Sequence, residues 1–341
     1  MNIHIKNQSE MKTNLFLLGM AVAAFSSCTN EEVTDVAQNR AIKFNQFVEN
    51  NTREVQEVES LSSFYVFGKF GEISNPYTTQ IFNNESQDTP YYWVANKFYI
   101  FGAYADGNNG KIEDVTFDSA KKQLVFTNYS PDDTKDLVAA ISDEVESGDN
   151  PTTNDNKVSL TFHHMLSQVK FTFNTTDAES YTLNITNLTL HAAKTGTGTY
   201  STSGATWRIS NYTPSINDNE NKYIYNEVVD VSDTSYEAQS KLVIPQATTE
   251  QLKVTFTATI TGAGLNKNAN FEATLEVNEN IAGISDANTW MPGYCYNYTA
   301  TINGDNIDPN LENQKIKFTP TVEPWQDATD TPVGPQISVV P

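Results

Sequence analysis

Cys28 is the residue in this sequence with the most definite chemistry open to it. It follows the small residues Ser26 and Ser27 at the end of an apolar run, Leu15 to Phe25. A thiol in that place resembles a bacterial lipobox, in which the sulfur is acylated and the cysteine then becomes the new N-terminus, against a plain secretory signal in which the cysteine is incidental. Phe25 stands where Leu is more usual and supplies similar bulk. With Cys28 committed to lipid, Cys295 has no partner left in the chain, so no intramolecular disulfide is expected.

The other reactive side chains form no convincing constellation. His163 and His164 are adjacent in a strand-like stretch, so their rings point to opposite faces and cannot share one metal without a bulge. His191 is remote from them, and no His-x-x-x-His or Cys-x-x-Cys spacing occurs. Gly196 and Gly198 begin like a dinucleotide fingerprint, but Ser201 takes the third glycine's place and no helix follows. Asp106, Asn108 and Asp114 lack the glycine and closing glutamate of a calcium loop. Nothing singles out a pair of carboxylates for glycoside hydrolysis. Trp93, Trp207, Trp290 and Trp325 could line a glycan site, although tryptophan in a sandwich more often anchors the core. The expectation is a protein without metal, cofactor or catalytic centre.

The elements around these residues are an export signal and then strands. The apolar run is too short to span a bilayer as a lone helix, and residues 1–27 read as a lipoprotein signal peptide, with Met11 a second candidate start. Residues 28–40 read as a lipidated linker, and Glu31-Glu32 resembles the surface-export tag of Bacteroidota lipoproteins. The chain has 341 residues, enough for two domains, and 38% hydrophobic content supplies a core for each. A net charge of −21 argues against nucleic acid, whose phosphates need a basic footprint.

Short runs rich in β-branched and aromatic residues recur, among them Phe64 to Phe67, Phe98 to Phe101, Gln123 to Phe126, Val169 to Phe173 and Leu252 to Thr257, parted by Asn, Asp, Gly and Ser. This is an all-β signature. Val169, Phe171 and Phe173 alternate with Lys170 and Thr172, as a half-buried antiparallel strand requires, and Tyr294, Tyr296, Tyr298, Ala300 and Ile302 share another face. Asp136 to Val145 is the best candidate for a helix, and a short one. Ser142 to Asn156 and Ser210 to Asn221 read as solvated loops. A Thr/Asp/Ser run near Asn174 to Ser180 suggests two β-sandwich domains, residues 41–175 and 176–341.

Several strings together resemble the fimbrillin family of Bacteroidota, subunits of type V pili. They are the lipobox, Ala41-Ile42-Lys43-Phe44, the Thr52-Arg53 pair, Tyr92-Trp93 followed by Tyr99 to Tyr104, Asp136 to Ala140, Leu160 to Val169, Val243 to Gln246, Trp290 to Tyr294 and Val322 to Trp325. In that pattern His164 is the histidine that fits, with a packing role. The resemblance implies two tandem transthyretin-like antiparallel β-sandwich domains and no enzymatic activity. It further implies a lipoprotein precursor at the outer membrane, removal of its N-terminal segment by an arginine-specific protease, and head-to-tail assembly in which a neighbouring subunit's strand fills the groove. The partners would be other pilin subunits, the membrane through the lipid before processing, and a host or bacterial surface ligand. A monomeric outer-membrane surface lipoprotein that binds glycans is the alternative.

The sequence supplies parts for such an exchange. Arg40, Arg53 and Arg208 are its only arginines, and the first two flank the candidate strand Ala41 to Val48. Cutting after Arg53 would release Ile42 and Phe44 as the displaced strand, whereas cutting after Arg40 would leave them attached; Arg53 reads equally as an exposed loop residue. At the far end Val333, Pro335, Ile337, Val339 and Pro341 alternate with Gly334, Gln336 and Ser338. That tail reads as a donor strand, or equally as a flexible terminus or a final strand of the subunit's own sheet, with two prolines that cannot donate. Asp118-Ser119-Ala120 is similar to a short O-glycosylation acceptor motif and would put Ser119 in an exposed turn.

Overall fold

The structure, a computed structural model, describes residues 40–48, 61, 63–107, 110–132, 135–153, 156–176, 181–210, 212–213, 215–226, 228–231, 235–247, 252–262, 264–275, 289–307 and 314–324. Within them the chain forms, in order, β1 Phe44–Val48, β2 Tyr65–Glu72, β3 Asn75–Ser86, β4 Phe98–Asp106, β5 Val115–Asp118, β6 Gln123–Tyr129, β7 Leu137–Ile141 and β8 Val145–Glu146. There follow β9 Val158–His164, β10 Ser167–Asn174, β11 Thr182–His191, β12 Gly196–Ser201, β13 Gly204–Arg208, β14 Lys222–Ile224, β15 Val228–Val231 and β16 Ser235–Glu237. The last are β17 Lys241–Val243, β18 Lys253–Gly262, β19 Leu265–Thr274, β20 Tyr294–Thr301, β21 Gln314–Lys315 and β22 Thr319–Pro324. The fold is all-β, as the alternation of the sequence required.

A seven-stranded sheet in the order β1-β9-β7-β4-β2-β3, with β8 beside β4, packs through one face against a four-stranded sheet, β13-β12-β6-β5. Phe67, Tyr104 and Leu137 meet Leu124, Phe126 and Tyr200 in that layer. The other face of the large sheet closes over Phe64, Phe82, Trp93, Phe101 and Phe162. Because β4 lies between two apolar layers, it reads as an unbroken apolar run from Tyr99 to Ala105, all buried. A second sandwich joins a five-stranded sheet, β16-β10-β20-β22 with β17 beside β10, to a six-stranded sheet, β14-β11-β18-β19-β21 with β15 beside β11. There Val169, Phe171 and Phe173 are fully buried while Lys170 and Thr172 are not, so the expected alternation of β10 is the observed one.

Three local readings change, and one is Ser142 to Asn156, expected as a solvated loop, which contains β8 paired with β4 and buries Ser142 and Ser147. The stretch expected to be the best helix, Asp136 to Val145, contains β7 and begins β8; β7 is held between β4 and β9 and is buried at Leu137, Val138, Ala139 and Ala140. Its local pattern yields to tertiary pairing. Ser119 does lie in the turn between β5 and β6, but it is only 6% exposed. The Asp118 carboxylate accepts from the amides of Ala120 and Lys121 at 3.1 and 3.0 Å, which tightens the turn around it. The turn itself is exposed at Ala120 and Lys121, and Ser119 is the residue in it that is turned inward.

The ladders cross the residue-175 division in both directions. β10 runs parallel to β20 from Gln168↔Cys295 to Asn174↔Thr301, and the β12–β13 hairpin joins β6 through Gly198↔Phe126 and Tyr200↔Leu124. Gly198 is required in that hairpin: a β-carbon there would lie 2.9 Å from the Trp207 indole on the paired strand. The indole N–H donates to the Met165 carbonyl at 2.6 Å, and His163 stacks on Tyr200 with centroids 5.7 Å apart. The hairpin from the second half is thereby fastened to the first.

Candidate functional site: the N-terminal edge strand

Residues 40–48 are held from both sides. On one side the Trp93 amide donates to the Arg40 carbonyl at 2.9 Å and the Ile42 amide to the Tyr91 carbonyl at 2.8 Å. Thr153 Oγ1 donates to the Ala41 carbonyl at 2.8 Å. From Phe44 onward the chain pairs in parallel with β9, Phe44↔Val158 through Val48↔Phe162, and ends the seven-stranded sheet. Gln46 donates from Nε2 to the Leu61 carbonyl at 2.8 Å.

Alternation decides which side chains enter the core. Lys43 and Asn45 are exposed, whereas Ile42 and Val48 are buried and Phe44 projects edge-on into three rings: Phe64 at 5.8 Å, Phe82 at 5.6 Å and Phe101 at 5.4 Å between centroids. Burying Ile42 and Val48 stabilises by about 1.5–3 kcal/mol each, and the partly buried Phe44 contributes less than a full burial would. If the strand left, the outer edge of β9 would lose its ladder and the aromatic layer its cover. An unpaired edge beside an apolar slot is a template for another strand.

The expected displaced residues, Ile42 and Phe44, therefore both face the core, the buried Ile42 just before β1 and the partly buried Phe44 at its start. Val48 belongs with them; Gln46 interrupts the apolar period and hides the continuation in the sequence. The parallel partner β9 and the bracing segment 91–93 carry no signal in the sequence that ties them to residues 40–48. Arg40 lies beside this brace, with its Nε buried and without a hydrogen-bond partner among the described residues. Burial raises the Tyr99 hydroxyl above its ordinary pKa, opposed by its backbone bond to Val94 and by the nearby Arg40 charge. Cys28, Arg53, Val333, Ile337 and Val339 lie outside the described residues.

The described histidines serve packing and hydrogen bonding. His164 Nδ1 is 2.6 Å from Asp136 Oδ2, and His191 Nε2 is 2.9 Å from Thr255 Oγ1. Burial, then the charge of Lys222, lowers the His191 pKa. Among the described residues no group of three His, Cys, Asp or Glu side chains is placed to hold a metal. Asp106 instead accepts the Tyr129 hydroxyl at 2.8 Å. Trp93 and Trp290 are core anchors, the latter donating to Tyr298 Oη at 2.9 Å; Trp207 anchors its hairpin, and Trp325 lies outside the described residues.

These features define an all-β sandwich protein with its first described strand at a sheet edge. The chain belongs to the fimbrillin-like family, whose model matches residues 33–325. Three solved structures are similar over most of both chains. A putative cell adhesion protein from Parabacteroides distasonis has 11% identity and a TM-score of 0.46, covering 86% of this chain and 99% of that one. Another from Bacteroides ovatus has 13% identity and a TM-score of 0.45, covering 84% and 98%. The fimbrial anchor protein Mfa2 from Porphyromonas gingivalis has 13% identity and a TM-score of 0.37, also covering 84% and 98%. No curated protein matches the chain.

Proposed function

We propose that this chain is a structural or adhesive subunit of cell-surface fimbriae that assembles by exchange of β-strands. Family membership supports the coarser part of this reading, a fimbrial or adhesin-like subunit. The observation that supports the finer part is β1, an edge strand whose Phe44 is inserted among Phe64, Phe82 and Phe101. Export as a lipoprotein through Cys28 brings the precursor to the outer membrane. A cut after Arg53 then frees the segment that carries Ile42, Phe44 and Val48, and the period-two tail containing Val333, Ile337 and Val339 of another copy takes its place beside β9.

Arg40 is the poorer processing site. Its carbonyl accepts from Trp93, the next carbonyl accepts from Thr153, and cleavage there leaves β1 attached to the body. The open ends of such an exchange give a head-to-tail filament. The test is limited digestion of the purified precursor with an arginine-specific protease, followed by mass spectrometry and size-exclusion chromatography. The expected product begins at Glu54 and forms a ladder of oligomers, and an Arg53→Ala variant stays intact and monomeric. A product that begins at Glu54 and remains monomeric would refute strand exchange and favour a monomeric glycan-binding lipoprotein.

A further inference from the structure

The sheet order leaves β13 at the end of its four-stranded sheet, paired among the described residues with β12 alone. In an antiparallel pair, half of the outer strand's N–H and C=O groups point away from its partner. β13 borders a cleft of about 630 Å³: Ala205 through Ile209 line it consecutively, together with Pro245, Ala247, Met291 and Pro292. Pro245 and Pro292 have no amide proton, so that part of the lining is poorly suited to pair as a strand. Both parts are fixed. Trp207 is bonded to Met165, and the buried Gln246 amide accepts from the Ala193 amide at 3.0 Å and donates to its carbonyl at 3.2 Å.

A smaller polar cleft of about 290 Å³ adjoins the first and shares Arg208 and Tyr212 with it. Among the described residues Lys194, Arg208 and Glu220 are the charged side chains that line it, one net positive charge on a chain of net charge −21. Neither Lys194 nor Arg208 forms an ion pair among the described residues; the Lys194 ammonium lies over the Tyr223 ring at 5.2 Å. A sugar would want an aromatic platform with a free polar edge, but the indole N–H groups of Trp207 and Trp290 are already donated and Trp290 is fully buried.

We infer that the free edge of β13 is a docking slot for an extended peptide of a partner protein, apolar at alternate places and bearing a carboxylate that meets Arg208 and Lys194. The peptide adds as a fifth strand, its backbone pairing with Gly204–Arg208 and its apolar side chains lying against Met291 and the two prolines. This does not rest on exchange at β1, which fills a different sheet.

The test is calorimetric titration of the intact chain, with β1 in place, using an acetylated peptide of alternating Thr and Val behind one Asp. Two analogues serve as controls: Pro at alternate Thr places, which removes the donors, and Asn for the Asp. The Pro analogue should bind about tenfold more weakly or not at all, and the Asn analogue and an Arg208→Ala variant each about fivefold more weakly. Hydrogen exchange should slow at residues 204–208 on binding. Equal affinity for the Thr and Pro peptides, no binding, slowed exchange elsewhere only, or binding of a uronic acid disaccharide in place of the peptides would overturn the inference. None of these outcomes bears on whether a subunit cut after Arg53 forms oligomers.

Discussion

At the scale of single residues, Asp106 and Gly198 show how this fold spends its stability. Burial raises the Asp106 pKa above the ordinary carboxylate value, against the lowering effects of Tyr129 and then Lys135. The folded state then holds its proton to higher pH than the unfolded state does, so stability falls as pH rises from about 4 through the raised value, and returns on acidification. Asp106→Asn should remove that contribution: the difference in unfolding free energy between variant and parent, measured by urea titration at several pH values, should grow in the variant's favour towards neutral pH. Gly198→Ala places a methyl group against the Trp207 ring and should cost about 1–3 kcal/mol, with a shift in tryptophan fluorescence as the indole leaves Met165.

At the scale of elements, β1 and β13 are both edges, and they differ in what lies beside them. β1 carries its own apolar residues into the core layer of its own sheet, whereas β13 borders a cleft lined also by residues outside the strands. Phe44→Ala should cost about 3 kcal/mol, because three ring contacts are lost and the surrounding aromatic layer cannot fully collapse. If β1 is the strand that leaves, the same variant should release its N-terminal fragment faster after digestion, readable as the rate at which the fragment separates on a column. A destabilised but undissociated fragment would show that β1 is a fixed part of the fold.

At the scale of the whole molecule, the two sandwiches are fastened together by strands that cross between the halves of the chain. β10 completes the sheet of β20, and the β12–β13 hairpin completes the sheet of β6. Neither half can unfold without stripping a strand from the other. Calorimetry should therefore show one transition with equal calorimetric and van't Hoff enthalpies. Trp207→Ala, which unfastens the hairpin, should split it in two.

The sequence by itself determined the class of fold and the buried face of its best strands. Val169, Phe171 and Phe173 could be placed inward because side-chain direction in a strand is a local property of period two. Likewise, Ile42 and Phe44 could be read as one apolar face. The sequence did not carry which strand lies beside which. That β1 runs parallel to β9, that β7 is a strand and that the β12–β13 hairpin crosses to β6 were decided by tertiary contacts, since periodicity encodes a face and not a neighbour. Lys194 and Arg208 were likewise brought to one cleft only by the folded chain, because nothing in their spacing marks a shared wall.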